Sequence, residues 1–205
     1  MVLFLHGAAF SARTWQILGS LDALATSGLS IRAIAVDLPG FGDFKSGRAK
    51  DSAEQRDTLV HRLLRALGWQ RRVLVVAASM GGSYGAPFVL NHPSQAAGSL
   101  PVAALGLRGS TPVSSVPTLV LWGELDSPNS PRAQAYARVF SRSQKIVFAD
   151  APHPCYLKAP ARFNRLLLAF ASAAPQVEAS MNTFAPPEDV LRATALWDAA
   201  REGEL

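Results

Sequence analysis

The chain has 205 residues, of which 49% are hydrophobic and 17% charged, and its formal net charge is +5. This length predicts one domain with a sizeable core, and the absence of a long apolar run argues against a membrane protein. The basic residues are scattered without an accompanying aromatic stripe, which argues against a nucleic-acid surface. The single cysteine, Cys155, excludes an intrachain disulfide and suits a reducing compartment. We therefore expect a protein of the cytoplasm, with the nucleus as a second location.

Short apolar runs alternate along the chain with amphipathic stretches of helical length. Strands are predicted over 2–5, 31–36, 73–78, 101–107, 117–122 and 145–148. Helices are predicted over 14–27, 51–67, from the glycines after Ser79 to about Leu90, 132–140 and 157–171. This alternation predicts an α/β fold, with a mostly parallel sheet covered by helices on both faces. We expect this domain to occupy residues 1–174, followed by a tail over 175–205 that fits either one helix or a disordered segment.

The stretch around Ser79 is the strongest functional signal. An apolar strand runs directly into Ser79, with Ala77 two residues before it and Gly81 and Gly82 close behind. This is the small-x-Ser-x-Gly pattern of a nucleophile elbow, in which a sharp strand-to-helix turn exposes a reactive serine. A serine helix cap followed by glycines is the alternative, but the preceding strand favours the elbow.

A serine nucleophile needs a base, and the chain has four histidines. His61 and His92 fall within or at the end of predicted helices, where solvated side chains are expected. His153 follows the last strand, in a loop between two prolines. We predict His153 as the base over His6, because the order nucleophile, acid, histidine is typical of this elbow.

The acid that orients the histidine should follow a strand between Ser79 and His153. Asp126 and Glu124 both follow the strand ending at 122. We predict Asp126, which has the longer loop in which to turn inward, with Glu124 second. Asp37 and Asp150 also follow strands but fall outside the expected chain order.

The charge that develops on the substrate oxygen needs donors already in place. We expect one from the backbone N–H of Met80, directly after the nucleophile, and one from the loop after the first strand, at Ala8 or next at Ala9.

Together these residues resemble the α/β-hydrolase superfamily over nearly the whole of 2–171. The finer resemblance is to its small CIB-type subgroup. The motifs that carry it are Phe10-Ser11, Thr14-Trp15, Leu18-Gly19, Asp37 to Gly42, Pro87-Phe88 and His153-Pro154-Cys155-Tyr156-Leu157. The subgroup's serine, aspartate and histidine fall on Ser79, Asp126 and His153. We expect His6, Phe10, Phe41 and Tyr156 to line the substrate pocket.

The sequence departs from this superfamily in three places, one of which is the tail from Pro175 onward, which resembles nothing in the family. The two strands that usually precede the one at 2–5 are missing, so we expect a minimal sheet. The segment 109–116 leaves no room for a lid domain, so we expect an open, shallow pocket.

The resemblance implies a serine hydrolase that cleaves small acyl esters or related acyl groups, with no metal and no organic cofactor. For CIB-type proteins it also implies transfer of an acetyl group from lysine to coenzyme A. Coenzyme A is polyanionic, and the basic residues expected to attract it are Arg13, Lys158, Lys45 and Arg48. A non-catalytic binding module for a transcription-related protein partner is a third expectation. Serine at the elbow argues against the relatives that use aspartate there to open halides or epoxides.

Overall fold

Six parallel strands form the sheet in the part of the chain that the structure describes. The computed structural model describes residues 1–43, 53–107, 113–127 and 130–174. The strands are β1 Val2–Leu5, β2 Ala33–Val36, β3 Val73–Ala78, β4 Ala96–Val102, β5 Thr118–Gly123 and β6 Ser143–Phe148. Their order across the sheet is β2-β1-β3-β4-β5-β6, and every neighbouring pair is parallel. The predicted α/β fold is therefore confirmed.

Helices cover both faces of the sheet. They are α1 Arg13–Ile17, α2 Ser20–Ala25, α3 Ala53–Ala66, α4 Gly82–Asn91, α5 Ser130–Val139, α6 Cys155–Lys158 and α7 Pro160–Ala173. Trp15, Leu24 and Phe163 place α1, α2 and α7 in the hydrophobic cluster on one face. Val60, Phe88 and Tyr136 place α3, α4 and α5 in the cluster on the other. Successive strand residues alternate between these clusters, as the period of two in a β-strand requires.

The position of the site follows from this topology. β2 lies on one side of β1 and β3 on the other, so the strand order reverses between β1 and β3. The chain leaves β1 toward the face covered by α1 and leaves β3 toward the face covered by α4. Parallel sheets bind ligands at the carboxyl ends of the strands where the order reverses in this way.

The fourth strand lies about five residues before its predicted position. It spans Ala96–Val102 rather than 101–107. Ala103 has φ +47° and Gly106 has φ +110°, and these left-handed residues end the strand before the apolar run does. Pro101 lies within β4, and because proline has no N–H it cannot donate a hydrogen bond to a neighbouring strand.

Two predicted helices are each broken into a pair. The predicted helix 14–27 is α1 followed by α2, because Gly19 adopts φ +70° between them. The side chain of Asn164 ties this break to α7 by donating to the Leu18 carbonyl at 2.9 Å and accepting from the Ser20 hydroxyl at 2.6 Å. The predicted helix 157–171 is α6 followed by α7, which begins at Pro160. None of the described helices has the length and apolarity needed to cross a membrane.

Candidate active site

Ser79 lies at a strained turn between β3 and α4. Its φ is +46°, a left-handed conformation that costs a non-glycine residue roughly 1–2 kcal/mol. The turn is tight because both following glycines touch backbone. A Cβ on Gly81 would lie 2.5 Å from the Leu5 carbonyl oxygen, and one on Gly82 would collide with the Leu105 carbonyl. The glycines allow the close approach that presents Ser79 at the sheet edge, as in a nucleophile elbow.

Ser79, His153 and Asp126 form a continuous chain of hydrogen bonds. The Nε2 atom of His153 lies 2.8 Å from the Ser79 Oγ, and its Nδ1 lies 2.7 Å from Asp126 Oδ2. A carboxylate can only accept here, so Nδ1 carries the proton and Nε2 accepts from the serine hydroxyl. Asp126 is only 5% exposed, whereas the His153 side chain is 37% exposed. The site thus has a shielded acid behind an accessible imidazole.

Of the two carboxylates considered for the acid, only Asp126 contacts His153 in this way. Glu124 instead accepts a hydrogen bond of 3.0 Å from the backbone N–H of Asp150. The N–H of Leu125 also donates to the Ala151 carbonyl at 3.0 Å. These bonds join the loop that carries Asp126 to the loop that carries His153.

His6, the second candidate for the base, is fully buried. Its Nε2 accepts from the Leu38 N–H at 3.0 Å, and its Nδ1 donates to the Gly7 carbonyl at 2.8 Å. Burial lowers the pKa of His6, although the Gly7 hydrogen bond and the charge of Asp37 oppose this shift. The ring therefore braces the loop after β1 against the loop after β2. It does not line a pocket, contrary to expectation.

The other expected pocket residues divide between surface and core. Tyr156 is 2% exposed and stacks on Trp15 with ring centroids 5.2 Å apart, so it belongs to the core rather than to an open pocket. Phe10 and Phe41 are half-buried. Phe10 and Ser79 both lie against Gly7. A Cβ atom added to Gly7 would be 3.5 Å from the Phe10 ring and 3.3 Å from the Ser79 Cβ. Phe10 can therefore contact a substrate at Ser79.

Both expected oxyanion donors lie close to Ser79. Met80 is the second residue of the short 3-10 turn Ser79–Gly81, whose leading N–H groups lack partners within the turn. Ala8 is exposed in the turn closed by the hydrogen bond from the Phe10 N–H to the Gly7 carbonyl, and Ala9 follows it. Since Gly7 lies against Ser79, this turn is adjacent to the nucleophile.

Asp37 has a structural role at the same edge. Burial would raise its pKa, but hydrogen bonds from the backbone N–H groups of Ala12 and Asp43 outweigh burial and lower it. Asp37 and Asp43 line a cavity of about 430 Å³ together with Arg13. The carboxylates thus accompany one of the cations expected to attract coenzyme A. Lys158 is exposed at the end of α6, and Lys45 and Arg48 lie outside the described residues.

Neither Cys155 nor a group of metal-binding side chains forms a second reactive site among the described residues. Burial raises the pKa of the Cys155 thiol to about 12, so it stays protonated within the core. Across the described residues, no three His, Cys, Asp or Glu side chains are grouped to hold a metal ion.

Comparison with known proteins places this sequence in a family. Residues 2–110 match the model of the alpha/beta hydrolase family. The chain belongs to the alpha/beta hydrolase family. It is 38% identical to protein ABHD14A of Danio rerio over 83% of this chain and 64% of that protein. It is 33% identical to human ABHD14B, a proposed protein-lysine deacylase, over 82% of this chain and 81% of that protein.

Solved structures support the same fold. A CIB-like hydrolase from Thermoplasma acidophilum superposes with a TM-score of 0.70 at 24% identity, covering 83% of this chain and 84% of its own. The esterase RhEst1 from Rhodococcus superposes with a TM-score of 0.69 at 19% identity, covering 84% of this chain and 90% of its own. The chain spans about two thirds of the length of the ABHD14A proteins that it matches. The predicted resemblance to CIB-type hydrolases is confirmed by the family match, the ABHD14A relatives and the CIB-like structure.

Proposed function

We propose that this protein is a serine hydrolase that cleaves acyl groups through a covalent acyl-enzyme. The observation that carries the proposal is the hydrogen-bonded chain from Ser79 Oγ to His153 Nε2, and from His153 Nδ1 to Asp126, at 2.8 and 2.7 Å. A base within this distance of a serine hydroxyl, itself oriented by a buried carboxylate, is the arrangement that acyl transfer requires.

The reaction begins with attack by Ser79. Its Oγ bonds to the acyl carbonyl carbon while the hydroxyl proton moves to His153 Nε2, and Asp126 stabilises the resulting imidazolium. The substrate oxygen becomes an oxyanion that accepts hydrogen bonds from the N–H groups of Met80 and Ala8. When the tetrahedral intermediate collapses, the bond to the leaving group breaks and His153 protonates that group.

Water completes the cycle. His153, now neutral, takes a proton from a water molecule whose oxygen bonds to the acyl carbon. The second tetrahedral intermediate collapses by breaking the bond to Ser79 Oγ, which recovers its proton from His153. The half-exposed His153 side chain is reachable from solvent, so water is the acyl acceptor that this site favours. The cycle uses no metal and no organic cofactor.

Acyl-lysine in a protein is the second candidate substrate. It is favoured by the 33% identity to human ABHD14B over 82% of this chain. The surroundings of the triad suit a substrate on a protein surface, since Leu125, next to Asp126, is 63% exposed and Leu157, four residues after His153, is 39% exposed. Coenzyme A is less favoured as the acyl acceptor, because Asp37 and Asp43 lie in the same cavity as Arg13.

A fluorophosphonate probe tests the proposal directly. We expect it to label Ser79 in the folded protein and to leave Ser79→Ala unlabelled. A panel of nitrophenyl esters from acetyl to dodecanoyl, and an acetyl-lysine peptide with and without coenzyme A, then separates ester hydrolysis, deacylation and acetyl transfer. A folded protein that resists the probe and turns over none of these substrates would favour the binding-module alternative, with a transcription-related protein as its partner.

A further inference from the structure

The backbone of Ser79 is held by a residue from another part of the sheet edge. The carbonyl oxygen of Ser79 accepts a hydrogen bond of 2.9 Å from the N–H of Leu105. Leu105 follows β4 in an irregular segment between Ala103 at φ +47° and Gly106 at φ +110°. Such a segment has no β-ladder to fix it, so its position depends on individual hydrogen bonds and close contacts.

Tyr136 supplies one of those hydrogen bonds. Its hydroxyl, on α5, donates to the carbonyl oxygen of Leu105. The Tyr136 side chain is buried in the core, and burial raises the pKa of the hydroxyl, which therefore remains a protonated donor. Leu105 is thus anchored to Tyr136 through its C=O and to Ser79 through its N–H.

The geometry of the peptide bond extends this connection to the oxyanion site. The Ser79–Met80 peptide is planar and trans, so the Ser79 carbonyl and the Met80 N–H point in opposite directions within one rigid unit. Whatever fixes the Ser79 carbonyl also fixes the direction of the Met80 N–H. An oxyanion donor is effective because it is aimed before the charge develops.

We infer that Tyr136 is a positioning residue, which acts through Leu105 to aim the Met80 N–H at the oxyanion. Its kinetic effect rests on the proposed serine-hydrolase function, whereas its effect on the backbone does not.

The variant Tyr136→Phe removes the hydroxyl and keeps the ring. We expect kcat for an ester to fall about tenfold, which is part of the loss seen when a whole oxyanion donor is removed. KM should stay within about twofold and the pH profile should not move, because the Ser79–His153–Asp126 contacts remain. Affinity for a trifluoromethyl ketone, which forms a tetrahedral adduct with the serine, should fall by the same factor as kcat/KM.

A matched control separates positioning from loss of stability. Val60→Ala removes buried methyl groups from α3 in the same hydrophobic cluster and keeps both groups of the Tyr136–Leu105 hydrogen bond. It should lower stability and leave kcat of the folded fraction unchanged. If Val60→Ala lowers kcat as much as Tyr136→Phe, the inference is wrong.

Hydrogen exchange gives a readout that needs no catalysis. We expect the Leu105 amide to exchange about tenfold faster in Tyr136→Phe, relative to amides of β3, and to be unchanged in Val60→Ala by the same measure. Absence of ester turnover and of probe labelling in the unaltered protein would contradict the proposed function, and the exchange result would still decide whether Tyr136 holds Leu105. Unchanged relative exchange at Leu105 would overturn the inference.

Discussion

Glu124 accepts a hydrogen bond of 3.0 Å from the backbone N–H of Asp150, and this contact separates the roles of two carboxylates that are close in sequence. Asp126, two residues later, contacts the imidazole of His153 at 2.7 Å. Glu124 is exposed and joins two loops, whereas Asp126 is buried beside the ring. The pair therefore provides a test of the acid and its own control.

We expect Asp126→Asn to lower kcat by about four orders of magnitude, because an amide favours the wrong tautomer of His153. Glu124→Gln keeps an oxygen that can accept from Asp150 and should change kcat by less than about threefold. Steady-state kinetics on an activated ester measures both. The assignment would move to Glu124 if the two variants showed the opposite order.

Substitution of Ser79 should separate its chemistry from its backbone strain. Both Ser79→Ala and Ser79→Gly remove the nucleophile, and we expect each to lower ester turnover on the order of a million-fold. Glycine adopts a φ of +46° without strain, whereas alanine adopts it only at a cost in free energy, so Ser79→Gly should be more stable than Ser79→Ala by about 1 kcal/mol. Urea unfolding of the two variants gives the comparison. Equal stabilities would mean that the turn is not strained in solution.

The buried His6 should make the fold sensitive to mild acid. Its pKa in the fold lies below the ordinary value of 6.5, so below pH 6.5 the unfolded chain binds more protons than the folded one. Its contribution to stability is therefore complete above pH 6.5 and is lost as the pH falls from there toward its folded pKa. We expect the free energy of unfolding to decrease between pH 7 and pH 5.

The control for this pH dependence is His6→Gln, whose amide can both donate to Gly7 and accept from Leu38. The variant should show a shallower fall in stability over the same pH range, measured by urea unfolding at each pH. Parallel pH curves for the two proteins would contradict the role given to His6.

The Cys155 thiol should be inert while the protein is folded. It is fully buried and its pKa is raised to about 12, so the reactive thiolate is scarce at neutral pH. We expect iodoacetamide at pH 8 to leave ester turnover unchanged and to alkylate Cys155 only in urea, as mass spectrometry would show. Rapid alkylation without urea would indicate that the core around α6 opens in solution.

The sequence was sufficient for the fold and for the residue types of the candidate site. Alternating apolar runs and amphipathic stretches predict parallel strands and covering helices, because burial of strands and helix faces follows local spacing. The position of Ser79 was also predictable, since an apolar strand followed by small residues constrains the turn directly. The prediction of 101–107 as a strand was wrong because apolar composition does not reveal the left-handed φ of Ala103.

The tertiary structure decided the contacts between residues far apart in the chain. It placed Asp126 against His153 and Glu124 against Asp150, although both carboxylates follow the same strand. It buried His6 and Tyr156, which the sequence alone assigned to a pocket. The link from Tyr136 through Leu105 to Ser79 has no sequence signal, because two of its three hydrogen-bonding partners use backbone atoms that every residue type provides. Local residue patterns therefore determined which reactive side chains follow which strands. Only the packing of distant segments determined which of these side chains come into contact.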